Sequence, residues 1–227
     1  MTIAPIETEY RGHIFRSRLE ARFAVFFDCL KCDWLYEPEG FSLPSGNYLP
    51  DFFLPSVGHR KGTWIEVKPW GKKCYFGMAY PRSSSYTYDD RYGEFLEYAD
   101  SVEQDFFIAY GIPSEEYFDD LEYSQCGMLD NPFDPFCWCI CPCSKTLGIE
   151  FDGRGARVNC ECNKHNSSDK CYSHDHDRIR QAAAAARSFR FEHSGEWRPD
   201  LSFLKRKDLD DAWKLKMLDY FYGGFYE

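Results

Sequence analysis

The stretch Tyr48–Lys68, YLPDFFLPSVGHRKGTWIEVK, admits few folds. Its first apolar run holds a Pro-Asp pair, Pro50 and Asp51. Its second, Thr63–Lys68, carries Glu66 and Lys68 two residues apart. Between them Pro55–Gly62 contains Pro, Ser, two Gly and His, the composition of a turn between strands. Side chains alternate along a strand, so Glu66 and Lys68 share one face while Ile65 and Val67 point the other way, toward a core. Folding the runs together sets Asp51 beside Glu66 and Lys68. Two carboxylates at a sheet edge supply hard oxygen ligands for a divalent cation, and the amine is placed to orient or activate a water.

The flanking sequence supplies the other layers. From Phe15 to Leu30, apolar residues fall at Phe15, Leu19, Phe23, Phe26, Phe27 and Leu30, which predicts an amphipathic helix. Glu20 lies on the flank of its stripe, either reaching the core edge or pairing with Arg16 or Arg22. Residues 1–12 read as a frayed arm. Trp34–Glu37 reads as a strand, and Gly46-Asn47 as the turn leading into a strand over Tyr48–Leu54. Beyond Lys68, Lys72 and Lys73 either touch phosphate or face solvent, and Tyr75–Tyr88 reads as a loop. Arg91–Ser101 has helical spacing, Asp105–Tyr110 (DFFIAY) reads as a buried strand, and Pro113–Pro135 as a long loop with at most a helical turn.

Asp51, fourteen residues, then Glu66-Val67-Lys68 resembles the signature of the PD-(D/E)XK, or restriction-endonuclease-like, nuclease superfamily. The resemblance implies a core of helix, three strands, helix and strand, matching the order above. It also implies metal-dependent phosphodiester hydrolysis with Glu20, Asp51, Glu66 and Lys68 catalytic. Asp51, Glu66 and the Val67 carbonyl would hold Mg²⁺ or Mn²⁺, and the substrate would be nucleic acid, DNA before RNA.

A net charge of −10 argues against nucleic acid until its distribution is read. Tyr92–Ser144 contains twelve Asp and Glu and no Lys or Arg, so the remainder is slightly basic. That segment is either a face turned away from DNA or one that meets a basic protein partner. Two alternatives to the nuclease therefore stand: a catalytically idle nucleic-acid-binding module, and an acidic phage-type inhibitor or decoy of a DNA-binding defence protein. No apolar run approaches the ~18 residues of a membrane span, and no signal-peptide pattern opens the chain. The expected location is cytoplasmic, in a prokaryotic cell or in the host of a phage.

Eight of eleven cysteines lie between Cys126 and Cys171. So dense a cluster in a reducing compartment reads as a metal site rather than disulfides. Cys29, Cys32 and Cys74 stand apart as core thiols. Cys141-Pro-Cys143 and Cys160-Glu-Cys162 flank LGIEFDGRGARVN, two short strands about Gly153, which resembles a zinc ribbon holding a structural Zn²⁺. Each pair has one intervening residue where the ribbon has two, so Cys137, Cys139, His165, Cys171 and His174 remain alternative ligands. Arg154 and Arg157 sit in the turn region, open to nucleic acid or to solvent. A helix over Asp175–Glu192 follows, with Ile179, Ala183, Ala186 and Phe189 as its apolar stripe and Arg178, Arg180, Arg187 and Arg190 outside it.

The sequence therefore predicts an α/β chain in four parts. Residues 13–112 form a nuclease-like core and 113–136 an acidic aromatic loop. Residues 137–195 form an appended zinc-ribbon-like module with its helix, and 196–227 a last helix and aromatic tail.

Overall fold

A computed structural model of the chain describes residues 5–58, 60–69, 90–113, 125–127, 134–141, 145–151, 155–157 and 176–193. Among these the fold is mixed α/β, with three helices and several small sheets. Lys72, Lys73, Cys74, Cys143, Arg154, Cys160, Cys162, His165, Cys171, His174 and the expected final helix lie outside the described residues.

Of the residues expected to be a frayed arm, those described from Thr8 onward form a hairpin: β1 (Thr8–Tyr10) pairs antiparallel with β2 (His13–Phe15). Arg11 and Gly12 both have positive φ, 51° and 77°, as a two-residue turn matched to strand twist requires. The hairpin is anchored by Tyr10, whose hydroxyl donates to Asp28 at 2.8 Å. Phe15 is thereby a strand residue, and helix α1 (Arg18–Cys29) starts later than its apolar spacing suggests. The cause is Ser17, whose hydroxyl caps the helix by accepting the Glu20 N–H at 3.2 Å.

Four strands form the central sheet, in the order β3 (Leu35–Tyr36), β6 (Phe52–Leu54), β7 (Thr63–Lys68), β8 (Asp105–Tyr110). The first two pairings are antiparallel and β7–β8 is parallel, so helix α2 (Asp90–Ser101) lies within the crossover between them. In chain order the helices and sheet strands thus run helix, three strands, helix, strand. The strand expected over Tyr48–Leu54 is broken at Pro50, which has no N–H to donate. Its first part joins a separate hairpin, β4 (Phe41–Leu43) with β5 (Gly46–Tyr48). The turn of that hairpin is Pro44-Ser45, not Gly46-Asn47, because Glu94 of α2 holds the Ser45 N–H and hydroxyl at 3.0 and 2.7 Å.

Both faces of β7 are covered, as for a strand with a parallel neighbour. Ile65 and Val67 enter the larger core with Phe23, Phe26 and Phe27 of α1. Trp64 faces the opposite way, into an aromatic layer with Tyr48, Phe95 and Phe106 beneath α2.

A second antiparallel sheet follows the order β12 (Gly155–Arg157), β11 (Leu147–Phe151), β10 (Asp134–Ile140), β9 (Gln125–Gly127). Strand β9 falls in the stretch expected to be loop. The two short strands expected about Gly153 are β11 and β12. Strands β10 and β11 share the larger core: Trp138 lies 5.8 and 5.9 Å from the rings of Phe26 and Phe27. Helix α3 (His176–Ser188), shorter than expected, packs on α1 through Ile179 and a run of buried alanines, whose small side chains permit close approach. A 3-10 turn, Phe191–His193, follows it.

Candidate metal and active site

The site is built where the β6–β7 ladder stops. Backbone pairing ends at Phe52↔Ile65, which leaves the Val67 N–H with no strand partner. Asp51, the residue before β6, supplies one: its Oδ2 accepts the Val67 N–H at 2.7 Å. Its backbone carbonyl accepts the Glu37 N–H at 2.9 Å, so Asp51 is clamped on both sides and only 2% exposed. The carboxylate's other oxygen, Oδ1, receives the Arg16 guanidinium at 2.6 Å.

Glu66 is buried on the face of β7 that carries Lys68, as alternation requires. Its Oε2 accepts the Tyr48 hydroxyl at 2.8 Å, and its Oε1 is held by the Lys68 ammonium. Glu20, also buried, accepts the Ser17 and Tyr36 hydroxyls, each at 2.6 Å. Of the two partners the sequence offered Glu20, Arg16 pairs instead with Asp51 and with Glu37, the latter at 2.5 Å.

The carboxylates lie close enough for their charges to interact. Burial pushes the Asp51 carboxyl up to about 8; Glu66 and Glu20 add to the rise, while the Val67 N–H and Lys68 oppose it. For Lys68, burial works against the charge but is outweighed by Glu66 and Asp51, so its pKa rises and the ammonium stays protonated. Burial, then Glu66, raises the Tyr48 phenol, and burial, then Glu20, raises that of Tyr36. Both remain donors to their carboxylates.

This donor set fits a hard divalent cation. The oxygens belong to three buried carboxyl groups, and two of them face side chains that can swing away. The Arg16 and Lys68 side chains are 54% and 36% exposed. Among the described residues no three Asp, Glu, His or Cys side chains form a ready-made cage. Mg²⁺ needs only one or two carboxylates, with waters completing its octahedron.

The cysteine reading is reached in part. Cys139 and Cys141 are buried thiols, and Cys141 turns the chain: its N–H donates to the Thr146 carbonyl and its own carbonyl accepts the Lys145 N–H, both at 2.9 Å. Cys137 and Arg157 lie in β10 and β12. Cys29 and Cys32 are core thiols whose pKa burial raises, leaving them unreactive.

Ser17, Tyr36 and Tyr48 are site residues that the sequence did not single out, and it offered Arg16 only as a partner for Glu20. Ser17 had a signal, because Ser17-x-x-Glu20 has the spacing of a capping box. No family model, curated protein or solved structure matches this chain. No described helix is long and apolar enough to cross a membrane.

Proposed function

We propose that the chain is a metal-dependent nuclease that hydrolyses phosphodiester bonds, of DNA before RNA. One observation carries this reading: the Val67 N–H fixes Asp51 at the end of the ladder, beside the Glu66–Lys68 pair. The order of sheet strands and helices supports a PD-(D/E)XK, restriction-endonuclease-like core around that pair. Asp51 and Glu66, with the Val67 carbonyl, hold Mg²⁺ or Mn²⁺. When bound, the ion lowers the pKa of a water and neutralises charge on the reacting phosphate. Lys68, released from Glu66, orients that water or the phosphate, and Tyr48 keeps Glu66 in its rotamer. Glu20 completes the acidic wall.

Cys141, with Cys143, Cys160 and Cys162, is proposed to hold a structural Zn²⁺, which elemental analysis of reduced protein checks. The basic surface for nucleic acid is assigned to Lys72, Lys73, Arg154 and Arg157. A decoy acting through the 92–144 acids has fewer free charges to use than the sequence suggests. Asp105 is buried, Asp100 and Glu103 pair with Arg60 and Lys61 at 2.8 and 2.6 Å, and Glu94 is bound to Ser45.

The test is cleavage of labelled DNA and RNA with Mn²⁺ against EDTA. Wild type is expected to cut only with the metal. Asp51→Ala, Glu66→Ala and Lys68→Ala are each expected to lose cleavage by about two orders of magnitude or more while staying folded. Metal-independent binding without cleavage would make the chain an idle module.

A further inference from the structure

We propose that Arg16 is the resident counter-ion of Asp51 and a positioning residue for the metal, so that a divalent cation reaches Asp51 by displacing the Arg16 guanidinium. The inference rests on the metal-dependent reading above and names what sets the affinity of that site.

Asp51 has two oxygens to offer. Oδ2 is committed to the Val67 N–H at 2.7 Å, a main-chain donor inside the sheet that cannot swing away. Oδ1 is the oxygen whose partner is able to leave, and Arg16 Nη2 occupies it at 2.6 Å. Arg16 is fixed at its root and half-exposed at its tip. Its backbone N–H donates to the Tyr36 hydroxyl at 3.0 Å, and Tyr36 in turn donates to Glu20, so the main chain is tied to the acidic wall. The side chain beyond is 54% exposed, against 3% for that of Asp51. Its second contact, Nε to Glu37 Oε1 at 2.5 Å, is an ion pair rather than a directed hydrogen bond. Glu37 thus retains the guanidinium electrostatically after Asp51 lets it go. When Asp51 is ionised in the metal-free protein, Arg16 offsets its charge beside Glu66 and Glu20. The consequence is competition: whatever Arg16 contributes to Asp51 is subtracted from metal affinity.

The experiment is a titration of EDTA-stripped full-length protein with Mn²⁺, free ion being read by electron paramagnetic resonance. Arg16→Gln is expected to bind Mn²⁺ about tenfold tighter than wild type, the value for losing one half-exposed charge-assisted hydrogen bond. Arg16→Lys is expected to restore affinity toward wild type, and Asp51→Asn to abolish binding. Equal or weaker affinity for Arg16→Gln, with wild type binding normally, overturns the inference and leaves the nuclease reading standing. Absence of Mn²⁺ binding in both overturns the metal reading and this inference with it. Should Arg16→Gln not fold, wild type alone decides through NMR of ¹⁵N-labelled arginine. Mg²⁺ is expected to free the Arg16 guanidinium protons to rotate and exchange; signals unchanged at saturating Mg²⁺ overturn it.

Discussion

Asp51 makes the protein sensitive to pH when no metal is supplied. Its carboxyl titrates at about 8 in the folded chain, because burial and then Glu66 disfavour the charge, and at about 3.9 when unfolded. The folded state therefore holds the proton more tightly. The associated stability is fully present below the unfolded value, falls as pH rises through the folded one, and is level above it. Melting in EDTA at pH 4, 6 and 9 is expected to show this decline. Asp51→Asn is expected to match wild type near pH 4 and to exceed it at pH 9; a parallel decline in the mutant would assign the effect elsewhere. Which residues meet at the site was partly legible in advance. Glu66 and Lys68 are bound to one face by the period of a strand, and Asp51 follows once two runs pair. Arg16, Tyr36 and Tyr48 carry no such mark. They reach Asp51, Glu20 and Glu66 across separations of 35, 16 and 18 residues, and nothing local encodes those contacts.

Among elements, α1 does most to position the site, and its start depends on Ser17. Ser17→Ala removes the acceptor of the Glu20 N–H and one donor to the Glu20 carboxylate. The expected cost is about 1 kcal/mol, read as a lower urea midpoint with unchanged slope. Ser17→Thr is expected to recover most of it. Strands β7 and β8 were legible to the residue, since each is a short apolar run closed by a turn residue or a proline. The hairpins were not. β1–β2 depends on Arg11 adopting positive φ, which a non-glycine residue rarely signals, and β4–β5 depends on Glu94 reaching back to Ser45. The strand β9 is three residues long, and its flanking sequence is acidic and aromatic in the manner of a loop.

Across the whole molecule, the larger core joins residues that composition would separate. Trp138 and Ile140 of β10, Leu147 and Ile149 of β11, and Ile179 and Ala183 of α3 cover the same phenylalanines of α1 that back β7. Trp138→Ala is expected to cost about 3–5 kcal/mol, and a chain ended after Pro113 to lose the near-ultraviolet circular dichroism of packed aromatic rings. The change in composition near residue 113 is legible, but periodicity says nothing about which faces later cover each other. The shared core also governs how the protein comes off the ribosome. Phe23, Phe26 and Phe27 emerge early, while the helix that closes over them arrives some 150 residues later. At roughly 5–20 residues per second the nascent chain carries that aromatic surface bare for on the order of ten to thirty seconds. It is the segment a cotranslational chaperone would hold, and the Glu66–Lys68 end of β7 cannot be rigid until the hold is released.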